Sequence, residues 1–89
     1  MLVKLIEIFK PDGQRVHLDE IYVSPSAVTT IRREPSNPML NEAVNLGVSA
    51  EAEFSRITII EGSLVRSTIV VGSPDDLRRK LNKRQLLRD

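Results

Sequence analysis

The chain has 89 residues, a net charge of +1 and no cysteine, which makes it one small domain with little mass to spare for an enclosed active site. The missing thiols exclude disulfides, thiolate nucleophiles and Cys-based zinc sites; they are compatible with a reducing compartment, and the cytoplasm is the expected location. Phe9, Tyr22 and Phe54 are the only aromatics, so Val, Ile and Leu must supply the core, a bias that favours strands.

In chain order, residues 2–9 read as a strand that is apolar on both faces apart from Lys4 and Glu7, as befits the interior of a sheet. The same two charges, and the shortness of the run, exclude a signal peptide, and no apolar stretch approaches the length of a membrane span. Asp12-Gly13 supplies the positive-φ geometry of a tight turn and predicts a hairpin into residues 15–18. Asp19-Glu20 is expected to break that run before Ile21-Tyr22-Val23 resumes it. Ser24-Pro25-Ser26 is a second break, and residues 27–33 follow as a strand whose charged end, Arg32-Arg33, should face water.

Residues 34–53 are the least strand-like, with Pro35, Asn37, Pro38, Asn41, Asn45 and Gly47 scattered through them. Asn37-Pro38 fits an N-cap and first-turn proline, which predicts a short helix with Leu40, Ala43 and Val44 on one face and Gly47 past its end. Residues 48–53 have little to pack and are expected to be mobile. Residues 54–60 and 64–71, joined by Glu61-Gly62-Ser63, then form the clearest hairpin of the sequence, buried most deeply toward the end of its second strand.

Ser73 is an N-cap, Pro74 occupies the first helical position, and Asp75 and Asp76 lie where the macrodipole favours negative charge. Leu77 and Leu81 share a face, and the helix ends between Leu81 and Leu87. The predicted architecture is α+β: a four- to five-stranded antiparallel sheet with a C-terminal amphipathic helix packed on one face. Residues 1–82 make the domain and 83–89 a basic tail.

Candidate chemistry is sparse. His17 is the single histidine and sits between Val16 and Leu18 in a strand, where alternation turns it outward and no second histidine or cysteine completes a site. The serines fall at caps and turns, none of them in a Gly-x-Ser-x-Gly turn, and the four glycines are isolated rather than grouped in a phosphate loop. No catalytic, metal or cofactor residue is assigned. The charge is uneven, however: residues 1–72 balance at −2 and residues 73–89 at +3. Arg78, Arg79, Lys80, Lys83 and Arg84 are the candidate contact for an anionic partner or nucleic acid, with Arg32 and Arg33 as further cations. Against nucleic acid stand the scarcity of stacking aromatics and the acidic remainder of the chain; a solvated helix end is the plainer reading. Leu81, Leu86 and Leu87 are candidate interface residues, of which one or two are expected to lie outside the core.

The order of Ile21-Tyr22-Val23-Ser24-Pro25-Ser26-Ala27-Val28-Thr29-Thr30-Ile31, the Ile57–Gly62 hairpin segment and Ile69-Val70-Val71 leading into Ser73-Pro74-Asp75-Asp76-Leu77 resembles the small FlbD-type flagellar proteins and similarly patterned short phage proteins. The resemblance covers about 50 residues of hydrophobic pattern; residues 34–53 and the basic end depart from it. It implies a non-enzymatic accessory protein, of phage or bacterial kind, that works by binding. A protein partner or self-association is the first expectation and nucleic acid the alternative, with no metal and no membrane span.

Overall fold

The computed structural model describes residues 1–35 and 39–86, of which 83–86 by backbone only. Five strands form one sheet: β1 (Val3–Phe9), β2 (His17–Val23), β3 (Val28–Glu34), β4 (Phe54–Glu61) and β5 (Leu64–Val71), in the spatial order β2-β1-β5-β4-β3 with every neighbouring pair antiparallel. Two helices accompany them, α1 (Leu40–Asn45) and α2 (Pro74–Leu86).

The order sets a geometric problem, because β2 and β3 are consecutive in sequence yet occupy opposite edges. A flat sheet of five strands is about 19 Å across at roughly 4.8 Å per strand. The link between Val23 and Val28 contains a 3₁₀ turn, Pro25–Ala27, which shortens its reach below the roughly 17 Å of five extended residues. β2 and β3 run parallel, so the link also joins opposite ends of the two outer strands; the sheet must therefore twist and curl until the end of β2 meets the start of β3, making a partly closed barrel. Ala27 is carried inward by the turn and is buried beside Val23 and Ile57.

Side-chain alternation divides the core between the two faces. Val3 and Leu5 of β1, Val23 of β2, Ile57 and Ile59 of β4 and Val70 of β5 lie on the concave face, and α2 adds Leu77 and Leu81 to them. Ile8 of β1 and Phe54 of β4 point the other way and are covered by Val16 and by Ala43 of α1. Helical cover on a second face is an addition to the sequence-based expectation, which placed one helix on one face.

β2 runs without interruption through Asp19 and Glu20, where the sequence predicted a break. As an outer strand it has one side in water, so carboxylates are tolerated, and Lys4 on the neighbouring strand meets Glu20 at 3.2 Å. Charge on an edge strand also discourages unwanted pairing.

Of residues 48–53, expected to have little to pack, Val48 and Ala52 are half-buried and the others are exposed. Ala43 is fully buried, with Met39, Leu40 and Val48 set against the same cluster, while Val44, predicted to share this inner face, is exposed. Met39 precedes the first helical residue; Asn37 and Pro38, the predicted cap and first turn, lie outside the described residues. Gly47 follows α1 at φ 103°, the positive-φ position that ends helices.

A polar tie holds α1 to the β1–β2 connection. The Val16 N–H donates to Glu42 Oε2 at 2.9 Å, and Lys10 Nζ lies 3.6 Å from Glu42 Oε1. The Val16 N–H is the main cause that holds the Glu42 carboxyl below its ordinary pKa, with Lys10 assisting and partial desolvation opposing. A carboxyl lowered in the folded state stabilises the fold above its unfolded pKa, near 4.3, and that contribution is lost as the pH falls through the lower folded value. Unfolding by urea should accordingly show an acid-side loss of stability that Glu42→Gln reduces. An unchanged pH profile in the variant would show that the tie does not support the fold.

α2 begins as predicted. Ser73 Oγ accepts the Asp76 N–H at 3.1 Å. The Asp76 carboxyl is held below its ordinary pKa first by the Ser73 hydroxyl and then by Arg79, with the Ser73 N–H adding to the effect, so the two residues cap one another reciprocally. Gly72, at φ 131°, makes the turn into the helix, and a Cβ there would meet Leu77 Cδ2 at 3.2 Å. The carbonyl of Gly72 accepts the hydroxyl of fully buried Ser55 at 2.7 Å, and its N–H donates to Glu53. Ser73→Ala should lower stability by about 1 kcal/mol, or roughly 4–8 °C in a thermal melt of a domain this size. A melt within 1–2 °C of wild type would assign the start of α2 to packing alone.

Candidate functional site

The basic helix was the leading sequence-based candidate. Arg78, Arg79 and Lys80 are exposed on α2, as expected. Two of the three cations are engaged within the helix: Arg78 lies 4.0 Å from Asp75, and Arg79 is paired with Asp76, each three residues away. The acidic first turn that helps start α2 thus neutralises part of its basic surface. Lys83 and Arg84 belong to the helical backbone, so the predicted tail from residue 83 begins inside α2; their side chains lie outside the described residues.

Arg32 and Arg33 do not extend this surface together. Adjacent strand residues point to opposite faces, and Arg33 is paired with Glu53. On the convex face Arg56 of β4 meets Glu34 at 3.3 Å and reaches Ser67 of β5. Arg33 and Arg56 are thus each paired with a carboxylate.

Of the candidate interface leucines, Leu81 is not available: it is 5% exposed and belongs to the concave core. The four-residue spacing from Leu77 that put both on one helix face puts both against the sheet. The Leu86 side chain and Leu87 lie outside the described residues.

His17 is exposed, and its ring stacks on Phe9 with centroids 5.5 Å apart, at the end of the β1–β2 ladder. Among the described residues no group of three His, Asp or Glu side chains is placed to hold a metal ion, and no helix is long and apolar enough to cross a membrane.

Two features escaped the sequence reading. The first is a cleft of about 460 Å³ between the sheet and the segment after α1, where Ile6, Leu18, Leu46, Val48, Ala52 and Val71 form an apolar lining beside Asp19 and Glu20. Its volume is that of a small-ligand site, but Ser49 supplies the one hydroxyl of its lining and no histidine stands beside it there. The apolar positions at 46, 48 and 52 were the available signal.

The second is the outer half of the β4–β5 hairpin. Its strands are joined by the two-residue turn Gly62-Ser63, with Gly62 at φ 60° and Glu61 facing Leu64. Burial declines toward this turn: Val70 is fully buried, whereas Val65 and Leu64 are 61% and 62% exposed and Ile60 is 41% exposed. β1 explains why. It pairs with β5 only at Glu7–Val70 and Ile8–Ile69, because the chain leaves the sheet after Phe9, where Lys10 and Val16 are tied to Glu42. From Leu64 to Thr68, β5 has β4 on one side and no described strand on the other.

Ile60 and Val65 are cross-strand partners on one face of this ribbon, and Leu64 lies beside Glu61 on the other. In an antiparallel ladder, alternate residues direct both backbone groups toward one neighbour. The Gly72 N–H donates to the Glu53 carbonyl on the β4 side, so even-numbered residues of β5 direct their backbone groups to β4, and Val65 and Ser67 aim their N–H and C=O groups away from it. The result is an exposed aliphatic surface beside an open strand edge. Comparison with protein-family models, curated proteins and solved structures finds no match to this chain.

Proposed function

We propose that the chain is a small non-enzymatic accessory protein that acts by binding another protein through the outer half of the β4–β5 hairpin. The carrying observation is the exposure of Ile60 and Val65 on one face and Leu64 on the other, each more than two-fifths exposed, at the outer end of a ribbon that leaves the body of the sheet. Single exposed aliphatics are ordinary, but three beside an unpaired strand edge offer both apolar area and backbone hydrogen bonds to a partner. The internal ion pairs of Arg78 and Arg79 weigh against the basic helix as the principal contact.

The double variant Ile60→Lys, Leu64→Lys tests this reading. Both side chains are exposed, so stability should change by no more than about 0.5 kcal/mol per site. Association, measured by sedimentation of the purified protein and by retention of partners from a source-cell lysate, should be lost. Identical behaviour of variant and wild type in both assays would overturn the proposal. Labelled DNA or RNA shifted at low salt, and released on neutralising Arg78, Arg79 and Lys80, would move the function to α2.

A further inference from the structure

We infer that the partner at this ribbon is a second copy of the chain, joined by antiparallel pairing of β5 with β5 of the other copy about a two-fold axis at Val65. The inference rests on the reading that the ribbon is the binding surface, and it names the occupant and the register. Strand addition at an open edge is a general mode of recognition, and an isologous contact requires a surface complementary to itself.

The ladder parity restricts the register. Backbone bonds across the new pair need residues whose N–H and C=O groups face the open side, which on this stretch are Val65 and Ser67. An axis at Arg66 would set Val65 against Ser67, but would place the two Arg66 guanidinium groups side by side, where like charges repel. With the axis at Ser67, Val65 would face Ile69 of the other copy, which is already paired with Ile8 of its own β1. The axis at Val65 avoids both conflicts.

In that register Val65 faces Val65 of the second copy, and each has Ile60 on its far side, so four aliphatic side chains form one row on one face. On the opposite face Leu64 lies between Glu61 of its own chain and Arg66 of the second copy, two strand spacings or about 10 Å apart, within reach of their side chains toward each other. Apolar groups meet apolar groups and opposite charges approach, twice over by symmetry. The paired stretch is short and buries less than the roughly 1,200 Å² of a stable interface, so the dimer is weak and concentration-dependent.

The absence of cysteine allows a direct test by placing one thiol in each chain. Across the proposed axis the two Val65 Cα atoms lie about 5.5 Å apart, inside the range a disulfide spans, whereas the two Ser63 positions are on the order of 13 Å apart. Under copper-phenanthroline oxidation Val65→Cys should form the linked dimer at least about tenfold faster than Ser63→Cys. Sedimentation of the wild type from about 10 μM to about 1 mM should show rising mass, and Val65→Lys, which brings two ammonium groups to the axis, should abolish the rise. Equal rates for the two cysteine variants, or self-association that survives Val65→Lys, would overturn the inference. A wild type that stays monomeric while a lysate partner is still lost in the Ile60→Lys, Leu64→Lys variant would reject self-pairing and leave the ribbon reading in place. Loss of neither would reject both.

Discussion

Phe54→Ala should lower the stability of the fold by about 3–5 kcal/mol, a large share of what a domain of this size has. Phe54 is 3% exposed at the start of β4, opposite Glu34 of β3 and Val71 of β5, on the face covered by α1 and Val16. Truncating a buried phenylalanine costs about 3–5 kcal/mol through lost transfer energy and the cavity left behind. At about 0.05–0.15 kcal/mol per residue, a domain of this size has roughly 4–13 kcal/mol in total. Urea denaturation followed by circular dichroism should show the midpoint falling with little change in slope. A loss below about 1 kcal/mol would mean that the segment after β3 does not cover this face in solution.

Ile57→Ala should cost about 2–5 kcal/mol by the same mechanism on the other face. Ile57 is fully buried between Ile31 of β3 and Thr68 of β5, in the cluster that α2 closes with Leu77 and Leu81. Amide exchange should separate the two variants: Ile57→Ala should release protection in α2 first, and Phe54→Ala in α1 and the β1–β2 connection. Faster exchange in α1 upon Ile57→Ala would show that the two cores are not independently organised. The lysine variants of Ile60 and Leu64, on the same hairpin, should lie close to wild type in stability, because burial and not hydrophobicity sets the cost.

What could be read in the chain was local. The Glu61–Leu64 turn, the Ser73 cap with Pro74 and Asp76, and the strands on either side of Gly62 each depend on residues within a few positions of one another. The failures depended on remote partners. Asp19-Glu20 looks like a break until β2 is known to be an edge strand with Lys4 beside it. Residues 48–53 look unable to pack because their apolar side chains are small and few; Val48 packs because the sheet presents Ile8, Leu18, Phe54 and Val71 to the same cluster. Val44 was misplaced for a related reason, since periodicity groups residues on a face without saying which of them the sheet reaches.

The candidate site shows the same division. The sequence predicted deepest burial toward the end of β5, and the exposure of residues 64 and 65 agrees, but nothing in it sets Ile60 apart from Ile57 and Ile59. Only the departure of β1 after Phe9, drawn off by the Glu42 tie, leaves that half of the hairpin uncovered. The basic helix stood out because charge is counted along the chain, yet its field is reduced by ion pairs that its own acidic cap supplies. The sequence by itself determined the α+β class, the hairpins, the start of α2 and the absence of thiol chemistry, since turn geometry, capping and composition act over short range. The tertiary structure decided the curl of the sheet, the second core, the burial of Leu81 and the open edge of β5, because each depends on which distant strand arrives beside a residue and which does not.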